Sequence, residues 1–192
     1  FNDKHNYLTL GPVKNKKANG VIPKYIIREK SGNDHVEIIL NKDEEIYAQP
    51  YYLSYMDPKI KLTTRNRTGG IFSTIKRALF TKTAIYTSIY KSTADNCRIG
   101  FASYLPGQII AIKINPGEDF IVKQSTIIAM TKNVNIETRF KFSGVLVSED
   151  IACVRVFIEP KSEEPGIFWL APYGGYEKMN LKAGDSMIVD NG

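Results

Sequence analysis

Apolar and polar residues alternate with a period of two along several short runs of this chain, most clearly from Asn133 to Phe142. Val134, Ile136, Thr138, Phe140 and Phe142 fall on one side, and Asn133, Asn135, Glu137, Arg139 and Lys141 on the other. This pattern predicts a β-strand with one face buried and one in water. Shorter runs predict strands at Ile85–Tyr90, Ile99–Ser103, Gln108–Ile114, Thr126–Met130, Ala152–Ile158, Ile167–Ala171 and Tyr176–Leu181. Tyr25–Ile27 and Val36–Leu40, split by Ser31-Gly32-Asn33-Asp34, predict a hairpin with His35 in its loop.

One pattern occurs three times: an apolar run, a turn of fixed length, and an acidic residue that opens a second run. The copies are Leu40-Asn41-Lys42-Asp43-Glu44, Ile114-Asn115-Pro116-Gly117-Glu118 and Leu181-Lys182-Ala183-Gly184-Asp185. Glu118 lies 74 residues after Glu44, and Asp185 lies 67 after Glu118. Met56, Ile60, Leu62 and Thr64 match Met130, Val134, Ile136 and Thr138 at the first spacing; Phe101 and Gly107 precede Trp169 and Gly175 by 68. A period this long predicts repeated supersecondary units that bury their apolar faces together. The expected organisation is a mobile lead-in over 1–23, a first β module over 24–114, a second over 115–181, and the start of a truncated third over 182–192.

One stretch leaves the β pattern. After Gly69-Gly70, Phe72, Ile75 and Leu79 recur at helical spacing beside Lys76 and Arg77. This predicts a short amphipathic helix near residues 71–80. The second module carries only Phe142-Ser143-Gly144 at the corresponding place. The segment is therefore an addition to the β frame, and such additions often carry function.

The chain has 192 residues and a net charge of +6. From Pro58 to Ala94 its cations, Lys59, Lys61, Arg65, Arg67, Lys76, Arg77, Lys82 and Lys91, meet no acidic residue. Cys97 and Cys153 are too few for a disulfide framework and are expected to be buried free thiols. No run of about 18 apolar residues is present, so no membrane-spanning helix is expected.

Catalytic chemistry finds little purchase. His5 and His35 are the only histidines, and none of the common nucleophile, zinc or phosphate-loop motifs occurs. The expectation is no enzyme, no cofactor and no metal. Glu44, Glu118 and Asp185 are read as turn-closing side chains rather than a carboxylate cluster. Tyr86 and Tyr90 beside the basic stretch raise an RNA-binding reading. Tyr86, Tyr90, Phe101 and Tyr104 also fit strand packing, which is preferred. The candidate contact for a protein partner or anionic lipid is Phe72, Ile75 and Leu79 on the apolar side and Lys76, Arg77 and Lys82 on the charged side.

Tyr55-Met56-Asp57-Pro58, Gly69-Gly70-Ile71-Phe72, Ile75-Lys76-Arg77-Ala78-Leu79, Pro106-Gly107-Gln108-Ile109 and Val189-Asp190-Asn191-Gly192 occur in that order. Together they resemble the altered-inheritance-of-mitochondria family, whose modules are similar to the tryptophan RNA-binding attenuation protein. The resemblance spans about Val36 to Gly192. It implies an all-β fold of repeated sandwich-like or double-stranded β-helix-like modules in pseudo-threefold array. It also implies a mitochondrial location and a non-enzymatic scaffold or assembly role in inner-membrane and cristae organisation. Expected partners are inner-membrane proteins and anionic lipid, with oligomerisation allowed. An RNA-binding module and a small-ligand β carrier are the alternatives.

Overall fold

The computed structural model describes residues 22–29, 33–66, 86–138 and 153–188. The described chain is all-β. Strands β1 (Lys24–Arg28), β2 (His35–Leu40), β3 (Glu45–Ala48), β4 (Leu53–Met56), β5 (Ile60–Asn66), β6 (Tyr86–Ser92) and β7 (Cys97–Ala102) come first. Strands β8 (Ile110–Ile114), β9 (Asp119–Lys123), β10 (Ile127–Thr131), β11 (Asn135–Thr138), β12 (Cys153–Phe157) and β13 (Gly166–Leu170) follow. The helix expected near 71–80 lies outside the described residues, as does the lead-in before Ile22.

The strands form three antiparallel sheets, ordered β1-β2-β7-β4, β5-β6-β3-β10-β13-β8 and β11-β12-β9. The six-stranded sheet is shared between two cores. Val36, Ile38, Ile46, Tyr90, Phe101, Ile167 and Trp169 pack into one, and Tyr47, Ile114, Val154, Val156, Phe168 and Leu170 into the other. Adjacent residues of β13 thus enter opposite cores, and all five are buried. A strand covered on both faces reads as a continuous apolar run. A single shared core was the natural expectation from the repeat; the fold has a shared sheet with a core on each side.

Pairings in the two halves correspond. β2·β7, β4·β7, β3·β6 and β5·β6 are matched by β8·β13, β10·β13, β9·β12 and β11·β12. Even the irregularity between Leu53 and Tyr55 recurs between Ile127 and Ala129. The ladders refine the sequence register. Tyr55 pairs with Gly100 and Ala129 with Trp169, so the counterpart of Trp169 is Gly100, not Phe101. Strand β8, which a boundary at residue 114 assigns to the first module, pairs with β13 of the second.

Each acidic residue of the tripled pattern closes its own turn. The amide N–H of Asn41 donates to Glu44 Oε2 (2.7 Å), that of Asn115 to Glu118 Oε2 (2.9 Å), and that of Lys182 to Asp185 Oδ2 (2.9 Å). The residue before each acid has a left-handed backbone, φ 69° at Asp43, 84° at Gly117 and 96° at Gly184. Glycine occupies that region without a Cβ penalty, and aspartate tolerates it.

Three expectations are corrected. Tyr176–Leu181 forms no strand and is exposed throughout, and no described strand pairs with it. His35 begins β2 rather than sitting in a loop. Cys97 is buried, its thiol directed at the Ala94 carbonyl oxygen (3.4 Å), whereas Cys153 is only half-buried; both are free thiols.

Candidate interaction surfaces

The basic segment singled out in the sequence connects β5 to β6. The last residue of β5, Asn66, pairs with the first of β6, Tyr86. The chain therefore leaves and rejoins the six-stranded sheet at one point, at the end of an edge hairpin. Phe72, Ile75, Lys76, Arg77, Leu79 and Lys82 all lie outside the described residues, so the structure does not bring them together or apart. On the described part of the hairpin, Lys59 and Lys61 are exposed. Lys91 is drawn to acids across the sheet, 3.1 Å from Asp43 and 4.0 Å from Glu45. The stretch without acids in sequence is thus partly countered in space, by exposed pairs of the kind that contribute at most about 1 kcal/mol each.

Of the four aromatics weighed between RNA binding and strand packing, the Tyr86 side chain lies outside the described residues and the other three separate by burial. Tyr90 and Phe101 are fully buried and meet edge to face at 5.6 Å. Neither ring offers a surface to a base. Tyr104 is exposed and stacks on Tyr52 at 5.9 Å.

That stack belongs to an aromatic surface the sequence reading missed. The short 3-10 turn Pro50–Tyr52 presents Tyr51, 64% exposed, while Tyr52 is buried with its hydroxyl donating to the Ser125 carbonyl (2.5 Å). Burial, then the neighbouring Tyr104 and Tyr51 hydroxyls, pushes the Tyr52 phenol up to about 12. The exposed Tyr104 and Leu105 sit on the loop after β7, and the exposed Tyr173 on the loop after β13. These loops run together: Gly107 bridges Gly174, whose N–H donates to the Pro106 carbonyl (2.9 Å). The signal in the sequence was the density of tyrosines from 51 to 55; without period, it gave no face.

A polar group lies on the outer face of the first sheet. Tyr55 crosses over Gly100, and its hydroxyl donates to Glu37 Oε2 (2.6 Å). Arg28 approaches the other carboxylate oxygen at 3.3 Å. The Tyr55 hydrogen bond, then Arg28, holds the Glu37 carboxyl below its usual range against the opposing effect of burial. Burial, then Glu37, pushes the Tyr55 phenol up to about 12. Both shifts favour a neutral phenol donating to a carboxylate. Stability from this pair is lost as pH falls through the folded Glu37 pKa, or rises through that of Tyr55. Gly100 is required here: a Cβ would lie 2.3 Å from the Tyr55 ring. On the three-stranded sheet, Arg155 bonds Asp119 (2.7 Å), approaches Glu137 and covers the Phe157 ring at 4.6 Å. Both arrangements fix charged side chains on the faces of their sheets.

Among the described residues, no group of three His, Cys, Asp or Glu side chains could hold a metal ion. No helix among them is long and apolar enough to cross a membrane.

The arrangement is that of a multi-sheet antiparallel β-protein. Residues 25–192 match the family described as mitochondrial biogenesis AIM24, and the chain belongs to that family. A crystal structure of a protein from Streptococcus pyogenes is similar in fold, with a TM-score of 0.62 and 16% identity. The likeness covers 82% of this chain and 68% of the streptococcal one. No curated protein matches the chain.

Proposed function

We propose that the protein is a non-enzymatic mitochondrial scaffold or assembly factor of inner-membrane and cristae organisation, and that its contact is made by the segment Gly69 to Lys82. Family membership supports the mitochondrial role. The observation that carries the choice of segment is the Asn66–Tyr86 pairing, which anchors an acid-free, basic and apolar insertion at one end of a continuously paired hairpin. A cap would use only Phe72, Ile75 and Leu79. A contact with anionic lipid or an acidic partner uses Lys76, Arg77 and Lys82 as well.

The double variant K76E/R77E tests this. Each basic residue near an anionic membrane contributes about 1 kcal/mol, so vesicle affinity in flotation assays is expected to fall at least about tenfold. Stability in urea melts should change by within about 0.5 kcal/mol. Unchanged flotation and unchanged co-purifying proteins would reduce the segment to a solvated face. Tight binding of single-stranded RNA, with a salt slope of several phosphates, would favour the RNA-binding reading instead.

A further inference from the structure

Two strands occupy the same place in their sheets but differ at their outer edges. β4 lies beside β7 and β10 beside β13, each with the same irregularity. The outer edge of β10 is taken by β3, with Met130 opposite Tyr47 and Thr131 opposite Ile46. Among the described residues no strand lies on the outer edge of β4, and Tyr55 and Met56 are 42% and 37% exposed. An open apolar edge is a template for another strand.

The chain carries a segment at the place of β3 in the repeat that also has no strand partner among the described residues. Asn33, Gly107 and Gly174 meet through two parallel bridges, Asn33 to Gly107 and Gly107 to Gly174. The backbone bonds there repeat: Asp34 N–H donates to Gly107 O (3.2 Å) and Gln108 N–H to Gly174 O (3.0 Å). From each of these three residues the closing acid of the next turn, Glu44, Glu118 or Asp185, is 11 residues on. The three turns share one hydrogen-bond pattern and one left-handed residue. After the first turn the chain forms β3 and after the second β9. After the third come Met187 and Ile188, 47% and 101% exposed and in no strand.

We propose that the open edge of β4 is a docking site for this chain's own Met187–Ile188 segment, which adds antiparallel to the first sheet with Ile188 opposite Met56 and Met187 opposite Asp57. The register is copied from β3 on β10, since Met56 stands where Met130 does and Ile188 where Tyr47 does. Main-chain bonds supply the attachment, and the two apolar edges cover one another. The junction at Gly174 fixes where the segment starts, so its own chain, rather than a second copy, is the occupant.

Paired cysteines in the full chain test this. Directly opposed residues on antiparallel strands lie within disulfide reach. A slip of one residue sends the side chains to opposite faces. Under mild oxidation M56C/I188C should form an intramolecular disulfide at least about tenfold faster than M56C/M187C, with peptide mapping to separate it from Cys97 and Cys153. Equal rates, or no 56–188 link, overturn the proposal. A 56–188 link found only between chains overturns the own-chain occupant in favour of a second copy. A readout without new cysteines compares wild type with Ile188→Asp by hydrogen exchange. Amides of residues 53–57 should exchange several-fold faster in the variant; unchanged exchange there contradicts the docking.

Discussion

Truncating Trp169 to alanine is expected to cost roughly 3–5 kcal/mol, the range for removing a large aromatic from a packed core. Trp169 is fully buried near the middle of β13, between β10 and β8, and its ring meets Tyr25 edge to face at 5.3 Å. Its neighbours are held in two ladders at once and cannot collapse into the space. A domain of this kind has about 5–15 kcal/mol in all, so the variant should unfold at much lower urea. Trp169→Phe separates packing from hydrogen bonding. The indole N–H is buried without an acceptor. Its removal relieves a desolvated donor and offsets part of the lost volume. The phenylalanine variant should therefore lose well under half of what alanine loses. Equal losses would mean that Trp169 is held by something other than packing.

Gly107→Ala should be nearly as damaging for a different reason. The obstacle is space: a Cβ at Gly107 would lie 2.3 Å from the Pro172 carbonyl oxygen and 2.9 Å from the backbone nitrogen and oxygen of Gly174. All three are main-chain atoms, so no side chain can rotate away. The bridges from Gly107 to Asn33 and Gly174 must open to admit the methyl. Overpacking costs about 1–3 kcal/mol and occasionally more, and this site belongs at the top of that range. Gly117→Ala is the control. Its backbone is left-handed but a Cβ there meets nothing within 4 Å. Only the backbone preference is lost, about 1–2 kcal/mol. Urea melts that placed Gly117→Ala above Gly107→Ala in cost would show that the three-residue junction is not a constraint.

Much of the frame was legible because its strands bury one face more than the other. Val36, Ile38 and Leu40 are buried in β2, as their alternation predicts. The shared sheet was harder. Residues 166 to 170 send neighbours into opposite cores, so nothing in that run distinguishes its faces. The same strand hid the register, since Phe101 and Trp169 invite alignment as aromatics although the ladder equates Trp169 with Gly100. Tyr176–Leu181 failed in the other direction: its alternation is real, but alternation specifies a face and not a partner. The candidate contact was read from helical spacing and charge alone, and only its anchoring at Asn66 and Tyr86 falls within the described strands. The exposed Tyr51, Tyr104 and Tyr173 were missed because they sit in turns and loops, where exposure depends on how distant segments meet.

The central claim is that a stable β frame presents one contact segment, Gly69 to Lys82, to an anionic membrane surface or an acidic partner. Hydrogen exchange of the intact chain, with and without vesicles rich in anionic lipid at physiological salt, tests it most directly. The account predicts slowed exchange in peptides covering residues 69–82, with β2, β7, β10 and β13 unchanged. Slowing confined to the loops of Tyr51, Tyr104 and Tyr173, or no slowing at all, would contradict it.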